Sequence, residues 1–218
     1  MRGSASRSDA ADIEARLTAA DPALGKLIAA VTARIGPQRI EHATVSPFEA
    51  LVRAIVYQSV STKAAAAIYA RIRAAIGSPL TPKKLLAMPP DPLKALGLST
   101  AKATCIHRLA DWFTANPKLA WRLPSLSDDE VTKALTLIPG IGVWTVNVFL
   151  IFNLRRPDVM PATDLVIRRG VELIYGMTGA ASPALVHEKA LCWQPYRSIA
   201  SLYLWNATRL KLTAADLS

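Results

Sequence analysis

The chain has 218 residues, 51% hydrophobic and 19% charged, enough apolar surface for one large domain or two small lobes, which excludes a disordered, solvating chain. Lys and Arg total 26 against 16 Asp and Glu, and the resulting net charge of +10 excludes an acidic tail and puts nucleic acid or a membrane surface on the shortlist of partners. The two cysteines, Cys105 and Cys192, are too few for a four-thiolate zinc or iron–sulfur centre.

In chain order, residues 1–10 read as a flexible leader ahead of a domain over residues 11–218. The leader lacks the apolar core of a signal peptide. The longest apolar stretch, near residues 143–152, falls well short of the roughly 20 residues that span a bilayer, so a cytoplasmic protein without a membrane partner is expected. Ser46-Pro47-Phe48-Glu49 supplies an N-cap, a first-turn proline and a glutamate reaching back, and predicts a long helix to about Ile76. Thr81-Pro82 opens another helix that Gly97 ends, and Ser99 can cap the next. Ser127-Asp128-Asp129-Glu130 repeats the capping logic, and Ser182-Pro183 starts a helix after a loop at residues 176–179. Helical spacing dominates and strand signals are nearly absent, so the prediction is an all-α chain of nine or ten helices without a fixed repeat.

Charge is uneven. Residues 51–110 carry Arg53, Lys63, Arg71, Arg73, Lys83, Lys84, Lys94, Lys102 and Arg108 against Asp91 as the only acid. Singly these are solvated helix faces; together they would form a basic wall.

Leu137-Ile138-Pro139-Gly140-Ile141-Gly142-Val143-Trp144-Thr145 lies between two helical patterns, and its proline and glycines force a tight turn. Gly140 and Gly142 leave backbone N–H groups unobstructed beside a helix N-terminus, an arrangement suited to phosphate oxygens. A plain connection without a ligand fits the spacing equally well. Downstream, Asp164 in Met160-Pro161-Ala162-Thr163-Asp164-Leu165 sits where a helix starts, as an N-cap or as a functional carboxylate. Trp144 and Trp205 are the indole rings that could accompany it, in the core or beside an extruded base.

The Leu-Ile-Pro-Gly-Ile-Gly hairpin followed by Asp164 resembles the signature of the helix-hairpin-helix DNA glycosylase superfamily (HhH-GPD). Arg53-Ala54-Ile55-Val56-Tyr57-Gln58-Ser59-Val60-Ser61, Gly97-Leu98-Ser99 with Lys102, and Trp193-Gln194-Pro195-Tyr196-Arg197-Ser198 leading to Trp205 are similar to its 3-methyladenine DNA glycosylase II branch, in a compact form without the N-terminal β domain. The resemblance implies a two-lobed all-α fold with an active-site cleft between the lobes. It implies one lobe over about residues 45–125 with a groove-entering loop, and a hairpin and catalytic lobe over about residues 126–218 joined by the N-terminal helices. It assigns catalysis to Asp164 and the base pocket to Trp144, Trp205, Tyr57 and the position of Val148, where a bacterial member of the branch has a tyrosine. It places Gln58 and Ser59 in the groove and Pro139, Gly140, Ile141 and Gly142 on the DNA backbone. From the charge pattern, Lys63 and Lys102 are expected to flank the cleft, with Ser99 or Thr145 bonding phosphate; singly, each fits a solvated or capping role equally well. Ser59 is small and polar where an apolar wedge is expected, so Gln58, Tyr57 or another loop fills the gap left by the base.

The resemblance further implies a monomer that acts on damaged double-stranded DNA at the nucleoid. No cofactor is expected beyond a sodium or potassium ion on backbone carbonyls of Ile138 and Ile141. Excision develops positive charge on the deoxyribose, which a carboxylate stabilises in the transition state. A lyase needs an amine nucleophile, whose place on the helix after the hairpin is taken here by Trp144, with no lysine in residues 140–153. The expectation is a monofunctional hydrolase of alkylated purines such as 3-methyladenine or 7-methylguanine. The alternative is a non-enzymatic DNA-binding or lesion-recognition protein that keeps the hairpin.

Overall fold

The computed structural model describes residues 7–41 and 44–217, and they contain thirteen α-helices, three short 3-10 turns and no strand. They divide into two compact units: the described residues of Met1–Glu41 and Arg155–Ser218 form one, those of His42–Leu154 the other. No helix among them is long and apolar enough to cross a membrane.

The His42–Leu154 unit is built around α3 (Pro47–Tyr57), capped by Ser46, whose hydroxyl accepts from the Glu49 N–H at 3.2 Å. Phe48, Leu51, Val52, Ile55 and Val56 give it a fully buried face. Against α3 pack α4 (Thr62–Ile76), α7 (Thr100–Ala115) and α10 (Val143–Phe152), and α7 also carries the short α5 (Pro82–Leu86) and α6 (Pro90–Ala95). α8 (Pro117–Arg122) leads through a 3-10 turn to α9 (Asp128–Thr136), whose start is a reciprocal capping box between Ser127 and Glu130. Glu49 is the buried charge of this unit. Tyr69 donates to it at 2.7 Å and Arg73 approaches at 3.3 Å, which ties α4 to α3.

The other unit packs α1 (Arg7–Ala20), α2 (Pro22–Ile35), α11 (Leu165–Ile174), α12 (Pro183–Lys189) and α13 (Arg197–Arg209) around Leu24, Leu27, Val31, Ile167, Val171, Trp193 and Tyr203. Gly170 lets α11 lie close on α13, since a Cβ there would stand 2.8 Å from Leu204 Cδ2. Asp21 caps α2 through the Ala23 and Leu24 N–H groups, and its other oxygen accepts from Tyr175 at 2.5 Å and from the Trp193 indole at 2.8 Å. One buried carboxylate thus joins α2, α11 and the turn after α12.

Several expectations change. The helix expected from residue 46 to 76 is two helices, because residues 58–61 leave helical geometry: Ser59 has φ +51° and Ser61 caps α4. The helix expected between Thr81 and Gly97 is likewise two, α5 and α6, divided before Pro89-Pro90. Of the predicted leader, residues 1–6 lie outside the described residues, and residues 7–10 already belong to α1. The division also falls elsewhere than expected. Residues 126–154, with the hairpin, belong with residues 42–125 and not with the segment that carries Asp164.

Tyr203 donates to Glu14 and accepts from the Gln38 N–H at 2.9 Å. Burial, then the carboxylate, push its phenol from 10.0 up to about 12. The unfolded chain therefore ionises first, so this contribution to stability is complete below pH 10 and is lost as pH rises toward 12. Thermal unfolding between pH 8 and 11.5 will show the midpoint falling above about pH 10, and Tyr203→Phe will make that fall shallower.

Candidate active site

In the His42–Leu154 unit the hairpin between α9 and α10 is anchored from inside. Ile138 and Ile141 are buried, and the Ile141 N–H bonds the Ile138 carbonyl at 3.0 Å. Leu137 and Val143, 78% and 51% exposed, stand at its rim together with Pro139, Gly140 and Gly142. Gly140 is required twice. Its φ is +101°, and a Cβ would meet Cys105 Sγ on α7 at 2.7 Å. Gly142 starts α10 without a capping side chain, which suits an external anion at that terminus.

Gln58 is joined to this hairpin. Its side-chain amide donates to the Gly140 carbonyl at 3.1 Å and to the Thr145 hydroxyl at 2.8 Å. Thr145 is 1% exposed, so its hydroxyl faces Gln58 inside the unit and is not turned outward toward a phosphate. Ser59 and Val60 are exposed beyond Gln58, and Lys63 is exposed on α4. Tyr57 ends α3 with the Arg53 guanidinium 5.3 Å from its ring centre. Trp144 and Val148 are both half-buried and stand four residues apart on one face of α10.

Ser99 is exposed at the start of α7, whereas the half-buried Lys102 turns its ammonium inward. The Ser99 hydroxyl caps α7 by accepting from the Lys102 N–H at 3.3 Å. The Lys102 ammonium donates to the carbonyls of Val56 and Gln58 at 2.8 and 2.6 Å, and burial lowers its pKa. Neither contact was signalled by sequence, because α7 and the end of α3 are far apart along the chain.

In the other unit Asp164 is 8% exposed and caps α11. One carboxylate oxygen accepts from the Val166 N–H at 2.7 Å and the Ile167 N–H at 3.1 Å. The segment leading to it is held by the start of α13. The Ser198 hydroxyl donates to the Arg156 carbonyl at 2.7 Å and accepts from the Val159 N–H at 2.9 Å, while the Ser198 N–H bonds the Pro157 carbonyl at 3.0 Å. Arg197 grips Asp158 with two bonds of 2.7 and 2.9 Å. Although desolvation opposes it, this guanidinium holds the Asp158 carboxyl below its ordinary value. Trp205, half-buried on α13, packs against the core of the same unit. The motif around Arg197 and Ser198 was visible in the sequence, but its part in holding the approach to Asp164 was not.

Among the described residues no group of three His, Cys, Asp or Glu side chains could hold a metal ion.

Residues 52–195 match the HhH-GPD superfamily of base excision DNA repair proteins, and the chain belongs to that superfamily. It is 33% identical over 172 residues to DNA-3-methyladenine glycosylase 1 of Schizosaccharomyces pombe, covering 75% of this chain and 73% of the relative. To DNA-3-methyladenine glycosylase 2 of Escherichia coli it is 34% identical over 174 residues, 74% of this chain and 57% of that longer protein. Among solved structures, the S. pombe 3-methyladenine DNA glycosylase in complex with abasic DNA superposes with TM-score 0.83 at 29% identity, covering 91% of this chain and 97% of the other. The DNA-3-methyladenine glycosidase of Bacillus halodurans superposes with TM-score 0.74 at 30% identity, covering 98% and 96%.

The packing of Gly140 on Cys105 makes a direct prediction. Gly140→Ala combines a positive φ with overpacking and will cost about 2–4 kcal/mol in urea unfolding. Gly142→Ala, whose Cβ would meet nothing within 4 Å, will change stability by less than about 1 kcal/mol.

Proposed function

We propose that this chain is a monofunctional DNA glycosylase that hydrolyses the N-glycosidic bond of alkylated purines, of the 3-methyladenine and 7-methylguanine type, in double-stranded DNA, as a monomer at the nucleoid. The observation that carries the reading is Asp164: a mostly buried carboxylate, fixed as the cap of α11 and approached through a clamped segment, in a chain of a base excision superfamily. The names of its relatives support the choice of substrate.

Breaking the bond sends its electron pair to the base and leaves positive charge on the deoxyribose. The Asp164 carboxylate stabilises that charge more in the transition state than in the ground state. Water then adds to C1′ and gives up a proton to the carboxylate. An alkylated purine already carries positive charge and departs neutral, so the reaction needs no leaving-group acid. Trp144 and Trp205 are assigned to the base, where an indole face attracts a cation by roughly 0.5–2 kcal/mol. Val148 leaves more room than a tyrosine would, which favours larger lesions.

The hairpin, through backbone N–H groups at the start of α10, and Lys63 are assigned to phosphates, and residues 57–59 to the space vacated by the base. A monovalent cation fits the hairpin chemically. The donors there are neutral carbonyls, and that of Ile138 keeps a second lone pair beside its bond from Ile141. When bound, such an ion supplies positive charge near a phosphate.

Asp164→Asn is the informative variant, because asparagine caps helices as well as aspartate does. Its single-turnover release of methylated purine from duplex DNA will fall at least about 100-fold, a loss of the size that removing one such electrostatic group produces. Its affinity for an abasic-site duplex will stay within a few-fold. Borohydride will trap no protein–DNA adduct with the wild type. Equal DNA binding by both proteins with no base released by either would instead make the chain a lesion-recognition protein.

A further inference from the structure

Lys102 lies in the first turn of α7, three residues after the Ser99 cap. A lysine there is placed against the positive end of its own helix dipole. Its ammonium, however, lies at the C-terminal end of α3, where a cation is favoured. It takes the carbonyls of Val56 and Gln58 at 2.8 and 2.6 Å. Helical N–H groups no longer reach these carbonyls, because α3 ends at Tyr57. Gln58 is then held from two directions: its backbone by Lys102, its side chain by Gly140 and Thr145. On α7 one turn further, Cys105 seats Gly140. One face of α7 therefore carries both the base of the exposed 58–61 loop and the hairpin.

We propose that Lys102 is a positioning residue whose ammonium, donating to the Val56 and Gln58 carbonyls, fixes the 58–61 loop beside the hairpin for entry into DNA, and that it contacts no phosphate. The proposal rests on the glycosylase reading for what the loop does, but not for how the loop is held.

Two measurements test it without requiring excision. In the wild-type protein, reductive methylation of lysines will label Lys102 slowly both free and with undamaged duplex, whereas Lys63 will be labelled readily when free and protected by DNA. Protection of Lys102 that appears only with DNA would overturn the proposal. In Lys102→Met, amide exchange at residues 58–61 will accelerate at least tenfold. The logarithmic salt slope of duplex affinity will match wild type, while Lys63→Met will lower that slope by about 0.9. Unchanged exchange in Lys102→Met, or a slope lowered by the same amount, would count against the proposal. If base is released, single-turnover excision by Lys102→Met will fall at least tenfold with affinity within threefold. If the wild type releases no base, the glycosylase reading fails, and the labelling, exchange and slope results still decide the role of Lys102.

Discussion

The close seat of the hairpin on α7 constrains both the hairpin and the loop at residues 58–61. Gly140 stands where any side chain would collide with Cys105, and its carbonyl takes the Gln58 amide. The turn that presents backbone N–H groups and the loop that projects Ser59 and Val60 are thus parts of one hydrogen-bonded assembly. Their rigidity has a thermodynamic consequence: a preorganised loop and turn lose less conformational freedom on binding DNA than mobile ones would. The basic residues of α4 can supply long-range, salt-sensitive attraction, while this assembly supplies the fixed geometry.

A second constraint acts in the other unit, on the chain before Asp164. Residues 156–159 have no regular structure, yet Ser198 and Arg197, in the first turn of α13, hold the Arg156 carbonyl, the Val159 N–H and the Asp158 carboxylate. Removing the Ser198 hydroxyl would leave a buried N–H and a carbonyl without their partner, at a cost of order 1–3 kcal/mol. The same helix carries Trp205 and packs on α11 through Gly170, so the carboxylate and this indole are placed by a common frame.

Much of this was legible where the signal is local. Ser46, Ser99, Ser127, Ser182 and Asp164 all cap helices as their spacing indicated, since a cap involves only the next three residues. The break at residues 58–61 was missed because no glycine or proline marks it; it depends on Ser59 adopting a positive φ and on carbonyls being satisfied by Lys102. For Lys102 the expectation is a contact with DNA, and for Thr145 a hydroxyl on phosphate. Their partners belong to elements distant in sequence, which composition and periodicity do not pair. The boundary near residue 154 was hidden for the same reason, since the apolar α10 packs on α3 and draws the hairpin into that unit.

Hydrolytic excision of alkylated purines is the chemistry we propose for this chain. Its most direct test is product analysis with the wild-type protein on a duplex containing a single 7-methylguanine. Free 7-methylguanine will be released well above the spontaneous rate, in amounts equal to the intact abasic sites formed, with no strand scission. Release no faster than in buffer across a panel of methylated purines, or cleavage of the strand in step with base loss, would contradict it.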